Sequence, residues 1–238
     1  MAFESFIHLM KGLQGKVGLG SSSGTNLRQA AYVRNLQKEL KQQDSLFVPL
    51  NQLNVVIFDL ETTGFYPEQG DRIISIGAVK MIGGERCEEF YSLARYENEL
   101  PPVIEQLTGL TPEQLSNAPA LTDVLVQFYR FAQHSTLVAH HSKHDKSFLQ
   151  NANWKLFRSP FKHRVVDTSF FYRIADPDCS FSRLDELCEY HQIPIIDRHH
   201  ALGDARLTAE IWRIYIEKVQ ALGCKTLHDV YRRMANKL

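Results

Sequence analysis

The sequence lacks paired cysteines: its four, Cys87, Cys179, Cys188 and Cys224, form no CxxC pair and no zinc-like spacing. That excludes a disulfide framework and gives free thiols in a reducing compartment. No apolar run approaches the roughly 18 to 20 residues a membrane span needs. The opening, MAFESFIHLMKGLQGK, lacks a basic leader before an apolar stretch, so a cytoplasmic protein is the default expectation. Net charge is missing too, because 27 basic side chains balance 27 acidic ones across 238 residues. With 44% apolar and 23% charged residues, disordered and collagen-like classes are excluded and one domain with an appendage is expected.

The zero charge is an average of unlike parts. Residues 1 to 52 hold six basic and three acidic groups, while residues 143 to 173 carry Lys143, Lys146, Lys155, Arg158, Lys162, Arg164 and Arg173 against Asp145 and Asp167. Such a basic run either tracks a phosphate backbone or is an ordinary solvated face.

Residues 1 to 52 read as an N-terminal extension, separate from a main domain over 53 to 238. It has an apolar-rich start (Phe3, Phe6, Ile7, Leu9, Met10), a GKVGLGSSSG linker, and a helix from about Asn26 to Gln43. Asn26 followed by Gln29 is a helix-start signal, and Ala30, Val33, Leu36 and Leu40 recur at helical spacing. That stripe must pack on something, either the main domain or a protein partner. The Gly-Ser stretch fits no phosphate-loop template, since Val17 follows Gly15-Lys16 and no strand precedes it.

From Leu53 the texture changes to β-branched and apolar runs. NVVIFDL, DRIISIGAVKMI and RCEEFYSLA read as three consecutive strands, a meander. Helical patterns follow around 103 to 132, then a strand at STLVAHH, a helix from Lys143, a short strand at HRVVDT and helices over most of 182 to 236. This order implies an α/β sheet with helices on its faces.

Asp59-Leu60-Glu61-Thr62-Thr63-Gly64 ends the first strand. Side chains alternate along a strand, so Asp59 and Glu61 share a face. Two such carboxylates repel unless a cation lies between them, and hard divalent ions take oxygen ligands of this kind. A bare DxE is often a solvated acidic pair. The five specified positions of D-x-E-T-T-G, however, arise by chance in a chain of this length on the order of 10⁻⁴ times.

The string resembles the first motif of the DEDD exonuclease superfamily, which includes the proofreading subunit of bacterial replicative polymerase, oligoribonuclease and ribonuclease T. The family's second motif, VAHNxxFDxxFL, is matched by Val138-Ala139-His140-His141-Ser142-Lys143-His144-Asp145-Lys146-Ser147-Phe148-Leu149, with His141 and His144 in place of Asn and Phe. Asp145, Phe148, Leu149 and Ala152 fall at i, i+3, i+4 and i+7, so Asp145 lies on the inward face and needs a partner. The third motif, H-x-A-L-x-D-A, is matched by His199-His200-Ala201-Leu202-Gly203-Asp204-Ala205. Thr208, Ile211, Trp212, Tyr215, Val219 and Leu222 continue the Asp204 stripe. Val165-Val166-Asp167-Thr168, SFSRLDELCEYHQIP and PPVIEQLTGLTPEQL, with Thr108 at the usual histidine position, resemble flanking family segments. The resemblance covers about 53 to 222.

A histidine in the third motif implies the DEDDh (DnaQ-like) subgroup, close in texture to proofreading epsilon-type domains. The implied fold is ribonuclease-H-like: a mixed five-stranded sheet flanked by helices. The implied function is a metal-dependent 3′-5′ exonuclease releasing nucleoside 5′-monophosphates from single-stranded or frayed DNA, of proofreading or repair type. Asp59, Glu61, Asp145 and Asp204 would hold two divalent ions, Mg²⁺ or Mn²⁺, and His199 would be the general base, with His200 the neighbouring x position. Thr62, Thr63, Phe65 and His140 would contact the substrate, although Phe65 reads equally well as core. An RNA-trimming exoribonuclease is the same-class alternative, and an inactive polymerase-associated nucleic-acid-binding module the different-class one.

Overall fold

The computed structural model describes residues 22 to 40, 45 to 178 and 181 to 236, with side chains from residue 27 onward in the first helix. The apolar-rich start, most of the Gly-Ser stretch and Cys179 lie outside the described residues. Three strands form the expected meander: β1 (Asn54–Thr62), β2 (Ile73–Ile82) and β3 (Glu85–Leu93), all antiparallel. Two more join in parallel, β4 (Thr136–Ala139) beside β1 and β5 (Val165–Asp167) beside β4. The mixed five-stranded sheet has the order β3-β2-β1-β4-β5.

Alternation along β1 sorts its side chains between two cores. Val55 and Ile57 face one side, with Val79, Val138 and Val166. Helices α6 (Ser169–Ala175), α7 (Leu184–Tyr190), α8 (Ala201–Ala221) and α9 (Leu227–Ala235) supply Phe171, Leu187, Trp212 and Leu227 to that side. Val56, Phe58 and Leu60 face the other, with Val124, Phe128, Phe148 and Leu149. Those partners come from α4 (Leu121–Ala132) and α5 (Lys143–Phe157). Two short helices, α2 (Pro102–Thr108) and α3 (Pro112–Ser116), precede α4. No helix of the described residues is long and apolar enough to cross a membrane.

The first helix, α1, spans Ser22–Glu39. It begins about one turn before the Asn26 signal and takes in Ser22, Ser23 and Gly24 of the expected linker. Its apolar stripe packs on the sheet: Ala30, Val33 and Leu36 are buried in the same core as Val56 and Phe58. Gln37, 1% exposed, accepts from the Lys162 N–H, Arg34 donates to the Phe157 carbonyl at 2.9 Å, and Gln29 reaches Asp123. The stripe left unassigned by the sequence therefore docks on the main domain. Leu222, expected to continue the Asp204 stripe, instead caps α8 and is 41% exposed.

Candidate active site

The first motif builds its own turn. After Glu61 the pairing with β2 shifts register, which bends the end of β1. Thr62 Oγ1 donates to the Gly64 carbonyl at 2.7 Å. Thr63 Oγ1 accepts from the Arg72 N–H at 3.0 Å and donates to Asp71 at 3.3 Å. Asp71 also accepts from the Tyr66 N–H at 2.8 Å. A Cβ on Gly64 would lie 2.4 Å from the Asp71 carboxylate, so the small residue lets that carboxylate close the turn. Beyond it Phe65 is 75% exposed and touches the His144 ring edge-on at 5.8 Å. The core reading of Phe65 is thereby removed.

Asp59 and Glu61 lie, half-buried, on the α8 side of the sheet. Gly77 pairs with Asp59 across the β1–β2 ladder, and a Cβ there would lie 2.1 Å from the backbone of Ala201 and Leu202. This bare backbone lets the first turn of α8 settle on the sheet and carry in Asp204, 4% exposed. Its position in that turn is favourable for an acid, because the helix N-terminus is electropositive. Asp145, also 4% exposed, arrives from the opposite face in the first turn of α5. Three distant segments thus meet at the carboxyl end of β1.

Carboxylate oxygens of Asp59, Glu61 and Asp204 lie within 4.8 Å of one another. Asp145 stands outside this triple but is close enough to act on Asp59. Burial first, then the Asp145, Glu61 and Asp204 charges, hold Asp59 well above the ordinary carboxylate range. Burial and then Asp204 push Glu61 up to about 8. Burial likewise raises Asp145 to about 7, against the pull of backbone N–H groups at Asp145 and Leu60, and Asp204 to about 6, against the pull of Arg198. Asp204 Oδ1 is buried without a hydrogen-bond partner among the described residues. An all-oxygen donor set, mutually repelling and with an orphaned oxygen, suits Mg²⁺ or Mn²⁺.

The two histidines of the third motif are separated by their contacts. His200 is the N-cap of α8, accepting from the Gly203 N–H at 3.4 Å, and stacks on Tyr91 at 4.4 Å. His199 adopts φ 62, and its Nδ1 lies 3.3 Å from Arg198. Burial and the Arg198 charge lower the His199 pKa.

In the second motif, His140 bonds Thr168 Oγ1 at 2.8 Å and the Ser182 carbonyl at 2.7 Å, using both ring nitrogens. Burial, then His141, bring its pKa down to about 4. His141, with φ 54, reaches the same carbonyl at 2.8 Å. His144 lies 3.3 Å from Thr62 Oγ1 and packs on Phe148. Sequence reasoning missed Arg198, Asp185, Tyr91 and Gly77. Gly77 left a signal, since a lone glycine inside a strand marks a close backbone approach, and Arg198 and Asp185 lay in or beside segments that resemble the family without being given a role.

A family model described as Exonuclease matches residues 56–212. The DNA polymerase III PolC-type of Caldanaerobacter subterraneus is 33% identical over 74% of this chain, which spans only 12% of that protein. A DNA polymerase III subunit epsilon-like protein of Rhodobacter capsulatus is 33% identical over 76% of the chain and 26% of its own length. The chain thus spans about an eighth to a quarter of these relatives. Among solved structures, the nuclease domain of 3′hExo, a DEDDh family member bound to rAMP, superposes with a TM-score of 0.60. It is 22% identical, over 73% of this chain and 94% of that one, so the likeness is one of fold.

Proposed function

Because the chain belongs to the exonuclease family, we propose that it is a metal-dependent 3′-5′ exonuclease acting on single-stranded or frayed DNA ends, of proofreading or repair type. The observation that carries this reading is the meeting of Asp59, Glu61 and Asp204 within 4.8 Å, with buried Asp145 beside them. An inactive binding module has no use for four acids brought together at this cost in repulsion. The polymerase III relatives favour DNA, and a protein partner reached through residues 1 to 52 belongs to the same reading. The rAMP in the 3′hExo structure is what supports the RNA-trimming alternative.

Two divalent ions held by Asp59, Glu61, Asp204 and Asp145 would supply charge neutralisation at the scissile phosphate. His199, kept neutral at pH 7 by its lowered pKa, accepts a proton from the attacking water. The new P–O bond forms as the P–O3′ bond breaks. A nucleoside 5′-monophosphate leaves, and the shortened strand keeps a 3′-hydroxyl protonated from solvent. Phe65 offers its exposed ring to the terminal base, and Thr62 and Thr63 shape the turn beneath it. His140 serves substrate binding by fixing the Ser182 loop. Exposed Lys143 and Lys146, at the start of α5, face the phosphate backbone.

The test is incubation with Mn²⁺ or Mg²⁺ and matched 5′-labelled DNA and RNA oligomers. A ladder shortening from the 3′ end is expected, faster on DNA. Intact substrate with both metals, or cuts only within the strand, would sink the reading.

A further inference from the structure

Arg198 lies between two acids and is not among the residues assigned a role above. Its Nη1 donates to Asp204 Oδ2, its Nε donates to Asp185 Oδ1, and its Nη2 reaches Asp185 Oδ2 at 3.4 Å. Asp185 sits in the first turn of α7, a separate element. With Oδ2 of Asp204 so occupied, the oxygen left over is Oδ1, buried and without a partner.

The backbone around Arg198 needs holding. Asp197 and His199, its two neighbours, both have left-handed φ values of 54 and 62, a conformation that is strained for an L-residue. The same segment is pressed onto α8: a Cβ on Gly203 would lie 2.0 Å from the Asp197 carbonyl oxygen. A planar guanidinium forked onto Asp185 and Asp204 is suited to clamp such a loop in one geometry.

We propose that Arg198 is a positioning residue for the metal site: anchored on Asp185, it fixes Asp204 with Oδ1 as the ion-facing oxygen and holds the loop that carries His199. The proposal rests on the metal-site reading above and makes a prediction opposite in sign to simple electrostatics. Removing a positive charge beside a cation site strengthens cation binding by Coulomb's law. Removing a group that orients a ligand weakens binding, typically by about 10- to 100-fold.

Mn²⁺ affinity of the intact chain, measured by titration calorimetry alongside circular dichroism, decides between them. Wild type binds Mn²⁺; Arg198→Met binds it at least tenfold more weakly. Arg198→Lys, which restores charge but not the fork, recovers only part of the loss. Asp185→Asn, which loosens the anchor on the partly exposed side, falls between wild type and Arg198→Met and serves as the deciding variant if Arg198→Met does not fold. Binding by Arg198→Met or Asp185→Asn as tight as wild type, or tighter, overturns the proposal, because the guanidinium would then be competing with the ion. Failure of the wild type itself to bind Mn²⁺ overturns the metal-site reading on which the proposal stands.

Discussion

Asp59 and Gly77 face each other across the β1–β2 ladder, and the Cβ that Gly77 lacks would lie 2.1 Å from the Ala201 and Leu202 backbone. The first acid and the helix bearing the last one are thus brought together by an absent side chain. Gly77→Ala must push α8 off the sheet, and overpacking of this kind costs about 1–3 kcal/mol. We expect a lower melting temperature and activity down by about 10²-fold, as a misplacement of about 1 Å at the reacting groups costs. A variant with wild-type turnover would show that Asp204 does not need this approach.

Replacing one of the clustered acids has opposite effects on activity and stability. Asp59→Asn abolishes exonuclease activity and raises the melting temperature of the chelator-treated protein at pH 8, because it relieves repulsion among buried carboxylates. For a chain of this size each kcal/mol gained corresponds to about 2–4 °C. An unchanged or lower melting temperature would contradict the assigned electrostatics.

The same groups set a pH dependence. Glu61 at about 8, Asp145 at about 7 and Asp204 at about 6 lie above the roughly 4 of an unfolded carboxylate. The folded chain therefore holds more protons than the unfolded one between about pH 4 and 8, and stability falls as pH rises through that window. His140 and His163 work the other way: burial holds both at about 4. Their contribution is present above about 6.5 and is lost as pH falls from there towards 4. Thermal melts in chelator should decline from pH 6.5 to 8.5. Added Mn²⁺ should remove most of that decline, and a flat profile in chelator would count against it.

His199 and His200 should separate cleanly. His199→Ala lowers kcat by about 10²- to 10⁴-fold with the melting temperature nearly unchanged. His200→Ala loses the cap on α8 and the Tyr91 stack, costing about 1 kcal/mol, and affects turnover much less. Paired kinetics and melts on both variants test this, and the reverse pattern would exchange their roles.

Phe65→Ala should raise KM for single-stranded DNA several-fold with a smaller change in kcat, because stacking is worth roughly 1–3 kcal/mol per base. At 75% exposure the ring contributes little to the core, so the melting temperature should not move. An unchanged KM would leave the ring without a substrate role.

Much of the site could be read without coordinates, for a local reason. Strand alternation alone put Asp59 and Glu61 on one face, without saying whether that face is buried, and the apolar helix stripe alone turned Asp145 inward. The end of β1 and the start of α5 were legible from patterns spanning a dozen residues, whereas the start of α8 at Ala201 was not. The Asn26 signal misplaced the start of α1 by about one turn: the helix begins at Ser22, ahead of the buried stripe that begins at Ala30.

By itself, the sequence determined which acids are present, which of them share a face within their own element, and the order of the strands and of most helices, α6 excepted. Those properties depend on backbone periodicity over a few neighbours. Tertiary structure decided what periodicity cannot reach. It docked α1 on the domain and made His200 a cap while leaving His199 beside the acids. Through the bare backbone of Gly77 it set Asp204 beside Asp59. It also set Arg198 between Asp185 and Asp204, six residues from one and thirteen from the other. Such contacts join residues that no local period relates, and packing of separate elements against one sheet is what brings them within bonding distance.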